Sequence, residues 1–149
     1  MQDDSRFEVL MSRLRASLGL EDSGPTATGT LTLRLRDSID FTIEHAPGDA
    51  KVHLHAIVGS LPPPPAGDAL ARLLLAQNFP GGLLRGAAFS LEAETDRIFL
   101  TASLDIAGLE PEGFHNAVVN FADLVEKSSR DLQDHTVNLP GETPVIAFA

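Results

Sequence analysis

The stretch that decides the fold is residues 30–44, TLTLRLRDSIDFTIE, together with residues 51–58, KVHLHAIV. Apolar and polar residues alternate in both, which is typical of β-strands with one face buried and the other in water. Residues 36–38 (RDS) and 46–49 (APGD) interrupt the alternation with turn-forming residues. The three alternating runs therefore predict a three-stranded antiparallel meander.

Helices and two further strands are predicted around this meander. An apolar stripe at helical spacing runs through residues 4–18, and Gly19 follows it, where a glycine commonly ends a helix. Residues 68–77 predict a second helix, residues 89–104 a pair of strands, and residues 111–132 a third helix. The order α-β-β-β-α-β-β-α predicts an α+β fold, a twisted antiparallel sheet packed with helices.

The second predicted helix is apolar almost all round its axis. After Asp68, its predicted N-cap, Arg72 and Gln77 are its polar positions. Such a helix has to be covered on more than one side, and a small domain covers only one. We therefore predict a homodimer in which this helix meets its symmetry mate. The predicted interface residues are Leu70, Leu73, Leu74, Phe89 and Leu91.

The chain contains no linker that would divide it. We predict a single domain over residues 1–132 and a C-terminal tail over residues 133–149, which ends in an apolar VIAF segment at residues 145–148. The pattern leaves open whether this tail is a docked extension or disordered.

Composition excludes several classes of function. Of the 149 residues, 11 are Lys or Arg and 21 are Asp or Glu, so the net charge is −10 and the protein repels phosphate backbones. No apolar run approaches the roughly 20 residues that span a bilayer. The acidic start is not a signal peptide, and the absence of cysteine fits the cytosol. We expect a cytoplasmic protein that neither binds nucleic acid nor inserts into a membrane.

The residues that carry chemistry do not form a recognisable site. The phosphate-binding, dinucleotide-binding and nucleophile-elbow patterns are all missing. His53 and His55 share one strand face and form the best metal candidate, but a metal site normally needs a third ligand. Histidines on a solvated strand face explain the pair equally well. We predict no catalytic residue, no metal, no cofactor and no enzymatic activity.

Several segments, in this order, resemble the class I type III secretion chaperones, the Tir chaperone family. The resemblance covers about residues 7–132. The segments that carry it are LGL at 18–20, VGSLP at 58–62, AQNF at 76–79, FSL at 89–91, and Phe114 with the spacing Phe121-x-x-Leu124.

The resemblance implies a homodimeric bacterial chaperone that binds the extended N-terminal region of a type III secreted effector and keeps it soluble for export. It adds the ATPase of the export apparatus as a further candidate partner. An extended chain of this kind adds a strand to a sheet edge, and its side chains fill pockets beside it. The residues that would line those pockets are Phe7, Leu10, Met11, Leu14, Leu33, Leu35 and Phe41.

Three alternatives remain open at this stage. Each of those apolar residues could simply pack on its own sheet. The domain could bind an apolar small ligand, or it could be a purely structural interaction subunit.

Overall fold

The computed structural model describes residues 2–20, 29–36, 38–80 and 84–137. These residues form a five-stranded sheet with the strand order β1-β2-β3-β5-β4, in which β1 pairs with β2 and β4 with β5 in antiparallel register. The observed order is the predicted α-β-β-β-α-β-β-α. The elements are α1 (Gln2–Leu18), β1 (Thr30–Leu35), β2 (Ile39–Glu44), β3 (Lys51–Ser60), α2 (Ala66–Gln77), β4 (Ala88–Glu92), β5 (Arg97–Asp105) and α3 (Pro111–Val137).

The contacts of the chain group into two compact units. Unit 1 comprises residues 1–54 and 103–122, and unit 2 comprises residues 55–102 and 123–149. The elements β3, β5 and α3 contribute residues to both units. That residues 1–132 fold as one domain stays a prediction.

Unit 1 has a core in which a helical stripe and alternating strand residues face inward. The buried residues of α1 follow the spacing i, i+3, i+4 and i+7. In β2 every second residue is buried, and Phe41 meets Phe121 of α3 edge to face, with ring centroids 5.9 Å apart. Aromatic pairs prefer this arrangement because the positive edge of one ring meets the negative face of the other.

Unit 2 places α2 beside the β4–β5 pair. Leu70 and Leu74, one turn apart, are buried. Gly67 is buried as well, and a Cβ atom there would lie 2.0 Å from the carbonyl oxygen of Pro62, so the close approach of two backbones requires glycine.

The predicted start of this helix was wrong. Its N-cap is Pro65, without a side-chain cap, and Asp68 lies in the first turn. A carboxylate there complements the positive end of the helix dipole, which explains why an acidic residue near the start does not have to be the cap.

The last helix is five residues longer than predicted, because it ends at Val137 and not at Leu132. Ser128, Leu132 and His135 are all buried and continue the inward stripe at helical spacing. A serine and a histidine do not count as apolar, so the stripe was invisible in the sequence beyond Leu132. The first five residues of the predicted tail are thus helical, and residues 138–149 lie outside the described part.

Among the described residues, no helix combines the length and the apolar character that crossing a bilayer requires.

Candidate partner-binding site

Six of the seven predicted partner-contact residues are buried in the chain itself. They belong to α1, β1 and β2 of unit 1 and form its core: Phe7, Leu10, Met11, Leu14, Leu33 and Phe41. The side chain of the seventh, Leu35, lies outside the described part. The structure therefore brings these six residues together, but in the core of unit 1 and not on its surface. Direct contact with a partner stays a prediction for these residues.

Polar bonds fix the position of α1 in unit 1. The guanidinium of Arg6 donates to the carbonyl oxygen of Leu109 at 2.9 Å and to the carboxylate of Glu110 at 3.2 Å. Asp4 accepts a hydrogen bond from the backbone N–H of Gly48 at 3.1 Å, and this bond holds the pKa of the Asp4 carboxyl below its ordinary value. Val9 lies on the outer face of α1, where 55% of it is exposed.

His45 is a buried residue that the sequence did not single out. Its ring stacks on Phe7 with centroids 4.6 Å apart, and its Nε2 lies 2.9 Å from the carbonyl oxygen of Asp49. It stands directly after β2 at the first position beyond the alternating run. It continues the alternation of Phe41 and Ile43, but a histidine does not count as apolar, so its burial was not predicted.

One hydrogen bond at the start of β1 shows which of its residues turn their backbone N–H and C=O groups towards β2 and which turn them away. The N–H of His45 donates to the carbonyl oxygen of Gly29 at 2.8 Å, and these residues stand opposite each other in the β1–β2 register. In an antiparallel ladder, opposing residues alternate between pairs that exchange backbone hydrogen bonds and pairs that do not. The backbone groups of Thr30, Thr32 and Arg34 therefore point away from β2. We call these outward groups of the terminal strand the β1 edge.

Side chains reinforce the β1–β2 pairing on its polar face. Arg34 binds Asp40 through two hydrogen bonds of 2.6 and 2.8 Å, and the arginine holds the pKa of that carboxyl below its ordinary value. The hydroxyls of Thr32 and Thr42 lie 3.3 Å apart. Both contacts join opposing residues that exchange no backbone hydrogen bonds, and in such pairs the side chains come closest.

Unit 2 carries an exposed apolar surface between α2 and β4. Leu75, Phe79 and Leu91 are 69%, 77% and 46% exposed. A cavity of about 140 Å³ opens between Leu75 and Leu91, and its wall includes Leu61 and Ile98. We call Leu75, Phe79, Leu91 and this cavity the α2–β4 surface. Exposed apolar side chains grouped in this way make the surface a candidate site for another protein.

The predicted dimer-interface residues divide between the interior and this surface. Leu70, Leu74 and Phe89 are buried within the chain, Leu73 is half-buried and Leu91 is exposed. Their contact with a second copy stays a prediction.

Sequence reasoning missed Leu75 and Phe79, the most exposed large apolar residues described. The signal was present, because a helix with apolar residues all round must expose some of them once one face is buried. Which face would be buried depended on where β4 packs.

Asn78 links α2 to β4 through its side chain. Its Nδ2 donates to the carbonyl oxygen of Phe89 at 2.9 Å, and its Oδ1 accepts the N–H of Phe89 at 2.7 Å. The two bonds fix the orientation of the carboxamide, because the backbone N–H can only donate and the carbonyl can only accept. The backbone N–H of Asn78 also ends the helix by donating to carbonyls of the last turn.

The two histidines considered as metal ligands have protein partners. His53 Nε2 lies 2.9 Å from the carboxylate of Asp49, and its Nδ1 lies 3.0 Å from the hydroxyl of Ser103. His55 meets the ring of Phe99 with centroids 6.3 Å apart. Within the described ranges, no group of three or more acidic or histidine side chains could hold a metal ion.

A serine and a histidine meet at a second cavity, of about 520 Å³, lined by α1 and the start of α3. Ser17 Oγ lies 2.8 Å from His115 Nδ1 and donates to the carbonyl oxygen of Leu14 at 2.9 Å. Because a hydroxyl has a single proton, the bond to Leu14 makes Oγ the acceptor from His115. If the histidine were a general base, the hydrogen bond would run in the opposite direction, with the serine hydroxyl donating to the histidine.

A family comparison decides what kind of protein carries these surfaces. The Tir chaperone protein (CesT) family matches residues 10–129, most of the chain. The chain belongs to the Tir chaperone protein family. The resemblance to class I type III secretion chaperones is thereby confirmed, and with it the assignment as an effector-binding chaperone. The matched range includes most of α1, the whole sheet and α2.

Three solved structures with the same fold are complexes of two proteins, and two of the three contain a named chaperone. The ExsC–ExsE complex contains a chain with 20% identity and a TM-score of 0.69, and the match covers 85% of this chain and 92% of that one. The HopA1–SchA chaperone–effector complex gives 13% identity and a TM-score of 0.68, with coverage of 87% and 98%. The complex of the Yersinia pestis chaperone SycH with a fragment of YscM2 gives 15% identity and a TM-score of 0.62. That match covers 80% of this chain and 96% of the other. No curated protein sequence matches the chain significantly.

Proposed function

We propose that this Tir-family chaperone acts as a cytoplasmic homodimer that binds the extended N-terminal region of one type III secreted effector and keeps it soluble for export. The observation that carries the proposal is the family match over residues 10–129, which contains the β1 edge and the α2–β4 surface. The complexes HopA1–SchA and SycH–YscM2 support it, because each joins a chain of this fold to a second protein.

On unit 1, the effector-binding region comprises the β1 edge and the outer face of α1. An added strand would run along the β1 edge, beside Thr30 and Thr32. Val9 offers an apolar contact. The buried residues beneath, with Phe7 and Phe41 as the largest, hold α1 and the strands in place, and the effector meets the surface that they support.

On unit 2, the α2–β4 surface takes a second copy of the chain. Leu75, Phe79 and Leu91 are too exposed for a chain that remains a monomer, and a twofold contact buries each of them twice. Leu73, half-buried at the flank of α2, extends the same face.

The protein carries out no catalysis and uses no metal or cofactor. The hydroxyl of Ser17 is oriented away from nucleophilic activation, and His53 and His55 are held by protein partners. The export ATPase is a further candidate partner, which would meet the loaded chaperone.

Affinity capture of the full chain from its native cytosol tests the function. We expect the co-purifying protein to be one that the type III apparatus secretes, and we expect deletion of its N-terminal region to abolish capture. A matched bait carrying Val9→Asp should capture much less. If no secreted protein is enriched over the matched bait, the proposal fails.

A further inference from the structure

The cavity of the α2–β4 surface has the size and the polarity of a pocket for one aromatic ring. Its volume is about 140 Å³, and no charged side chain is among the described residues that line it. Leu75 and Leu91 belong to its wall and are 69% and 46% exposed. An apolar cavity of about 150 Å³ stays dry and takes up a molecule of the size of benzene. A phenyl ring is therefore a group that this cavity can hold.

The end of α3 lies close to this cavity. Leu132 packs beside Gly59, where a Cβ atom would lie 3.3 Å from the Cδ1 of Leu132. Leu61, two residues after Gly59, belongs to the cavity wall. The path from Val137, the end of α3, back to Leu132, across to Gly59 and on to Leu61 is about 20 Å, given the rise per residue of a helix and of a strand. All four residues lie in unit 2.

The chain carries an apolar segment that can cover this distance. Residues 138–144 (NLPGETP) separate the end of α3 from VIAF at residues 145–148. An extended chain advances about 3.3 Å per residue, so this spacer can span up to about 23 Å. VIAF holds no charge, and its Phe148 has the phenyl ring that the cavity can hold. The segment thus fits the cavity in reach, in size and in polarity.

A segment of the same chain has an advantage over a second copy at this cavity. Its attachment gives it an effective concentration of roughly millimolar order, and its docking loses less translational freedom than the association of two molecules. Two copies each carry a net charge of −10 and repel each other. In dilute protein, the segment of the chain itself is therefore the favoured occupant.

We infer that residues 145–148 dock in the α2–β4 cavity of their own chain, with the ring of Phe148 between Leu75 and Leu91, and that a second copy has to displace them. Phe79 lies outside the cavity wall and is 77% exposed, so it stays available for the first contact with that copy. The docking is independent of the proposed function, whereas the displacement rests on the dimer proposed there.

Disulfide formation tests the docking in the full chain, which contains no cysteine of its own. Ser90 is an exposed residue of the cavity wall, so Ser90→Cys combined with Ala147→Cys should form a disulfide within one chain. Ser90→Cys with Glu142→Cys is the matched control. It should react about tenfold more slowly, because docking raises the local concentration of residue 147 and not of residue 142 at the cavity. Adding Phe148→Asp to the first pair should slow it to the rate of the control. Equal rates for the two pairs, or a disulfide only between chains, overturn the inference.

The displacement predicts a tighter dimer when the segment cannot dock. Phe148→Asp should lower the dissociation constant of the dimer, measured by analytical ultracentrifugation, by about fivefold to tenfold, because it removes a competitor for the same surface. Thr143→Asp adds the same charge outside VIAF and should leave the constant at its wild-type value. Equal constants for the two variants overturn the displacement. If wild type and both variants are monomers at every concentration, the proposed dimer is refuted together with the displacement, and disulfide formation still decides the docking.

Discussion

The carboxylate of Asp4 accepts a hydrogen bond of 3.1 Å from the backbone N–H of Gly48, which ties the first turn of α1 to the turn between β2 and β3. His45 Nε2 lies 3.8 Å from the same carboxylate oxygen. The pKa of Asp4 is lowered, chiefly by the bond from Gly48. One end of α1 is therefore held by a carboxylate whose ionised form the fold favours.

The dependence of this anchor on pH follows from the direction of the pKa shift. A carboxyl whose pKa is lower in the folded state stabilises the fold above its unfolded pKa, and the stabilisation is lost as the pH falls through the folded pKa. We expect Asp4→Ala to lower the thermal midpoint at pH 7 more than Asp3→Ala, an acidic residue of the same turn. At an acidic pH below the lowered pKa of Asp4, the two variants should converge. Circular dichroism melts at both pH values make the comparison, and an equal difference at both would contradict it.

The α2–β4 surface predicts a dimer that depends on Phe79. Wild type should scatter light as a particle of about twice the 15.9 kDa chain mass. Phe79→Asp places a charge on a side chain that is 77% exposed in one chain, so it should leave the fold intact and produce a monomer. Leu73→Asp, at a half-buried position, should dissociate or precipitate the protein.

The matched control for the dimer is Asp134→Arg, a charge change at an exposed position on α3 in the same unit. It should remain dimeric. A wild-type monomer across micromolar concentrations, or a Phe79→Asp dimer as tight as wild type, would refute the assignment of this surface.

The edge-to-face contact of Phe41 with Phe121 predicts a large loss of stability on truncation. Phe41 is fully buried, and Phe41→Ala should lower the free energy of unfolding by about 3–5 kcal/mol, because it leaves a cavity. Urea denaturation measures the loss. Thr42→Ala, the next residue on the polar face, should change it by less than about 1 kcal/mol. Similar losses for both variants would show that the core does not depend on this pair.

Effector binding is best tested at Val9. Charge reversal at Met11 or Leu14 would place a charge in the core, since both are buried, and would confuse unfolding with lost contact. Val9→Asp should reduce affinity for the captured effector's N-terminal region by about tenfold or more, since 1.4 kcal/mol corresponds to a factor of ten. Glu8→Gln, at the neighbouring exposed position, is the control. Isothermal titration provides the affinities, and wild-type binding by Val9→Asp would move the site elsewhere.

The histidine contacts predict that no stoichiometric metal is bound. His53 is held by Asp49 and Ser103, which leaves its nitrogens engaged. We expect elemental analysis of protein purified without a His tag to find less than about 0.1 zinc per chain, far below the full occupancy of a structural zinc site. One zinc per chain in wild type, lost in the double variant His53→Ala and His55→Ala, would overturn the prediction that no metal is bound.

The fold was readable in the sequence wherever burial followed a regular period. The alternation that ends at Ile43 and the stripe that contains Phe7 each have one buried face, and both were predicted correctly. His45 and Ser128 were not anticipated, because tertiary packing buries them in spite of their polarity.

The site was less readable than the fold. The same stripe that predicts α1 also suggested partner contacts, and periodicity cannot distinguish a side chain that faces its own sheet from one that faces another protein. Exposure at Leu75 and Phe79, and the bonds from Asn78 to Phe89, depend on where β4 lies beside α2. That placement is a property of the assembled unit and not of any local pattern.

The close approach at Gly67 has a consequence for large mutational surveys. Any other residue there would place its Cβ 2.0 Å from the carbonyl oxygen of Pro62, a backbone atom that cannot swing aside. In a library of all single substitutions scored by secretion of a client, position 67 would be depleted as strongly as a true contact. A parallel score of intracellular abundance separates the two, because Gly67 variants should disappear from both scores and Val9 variants from the first alone.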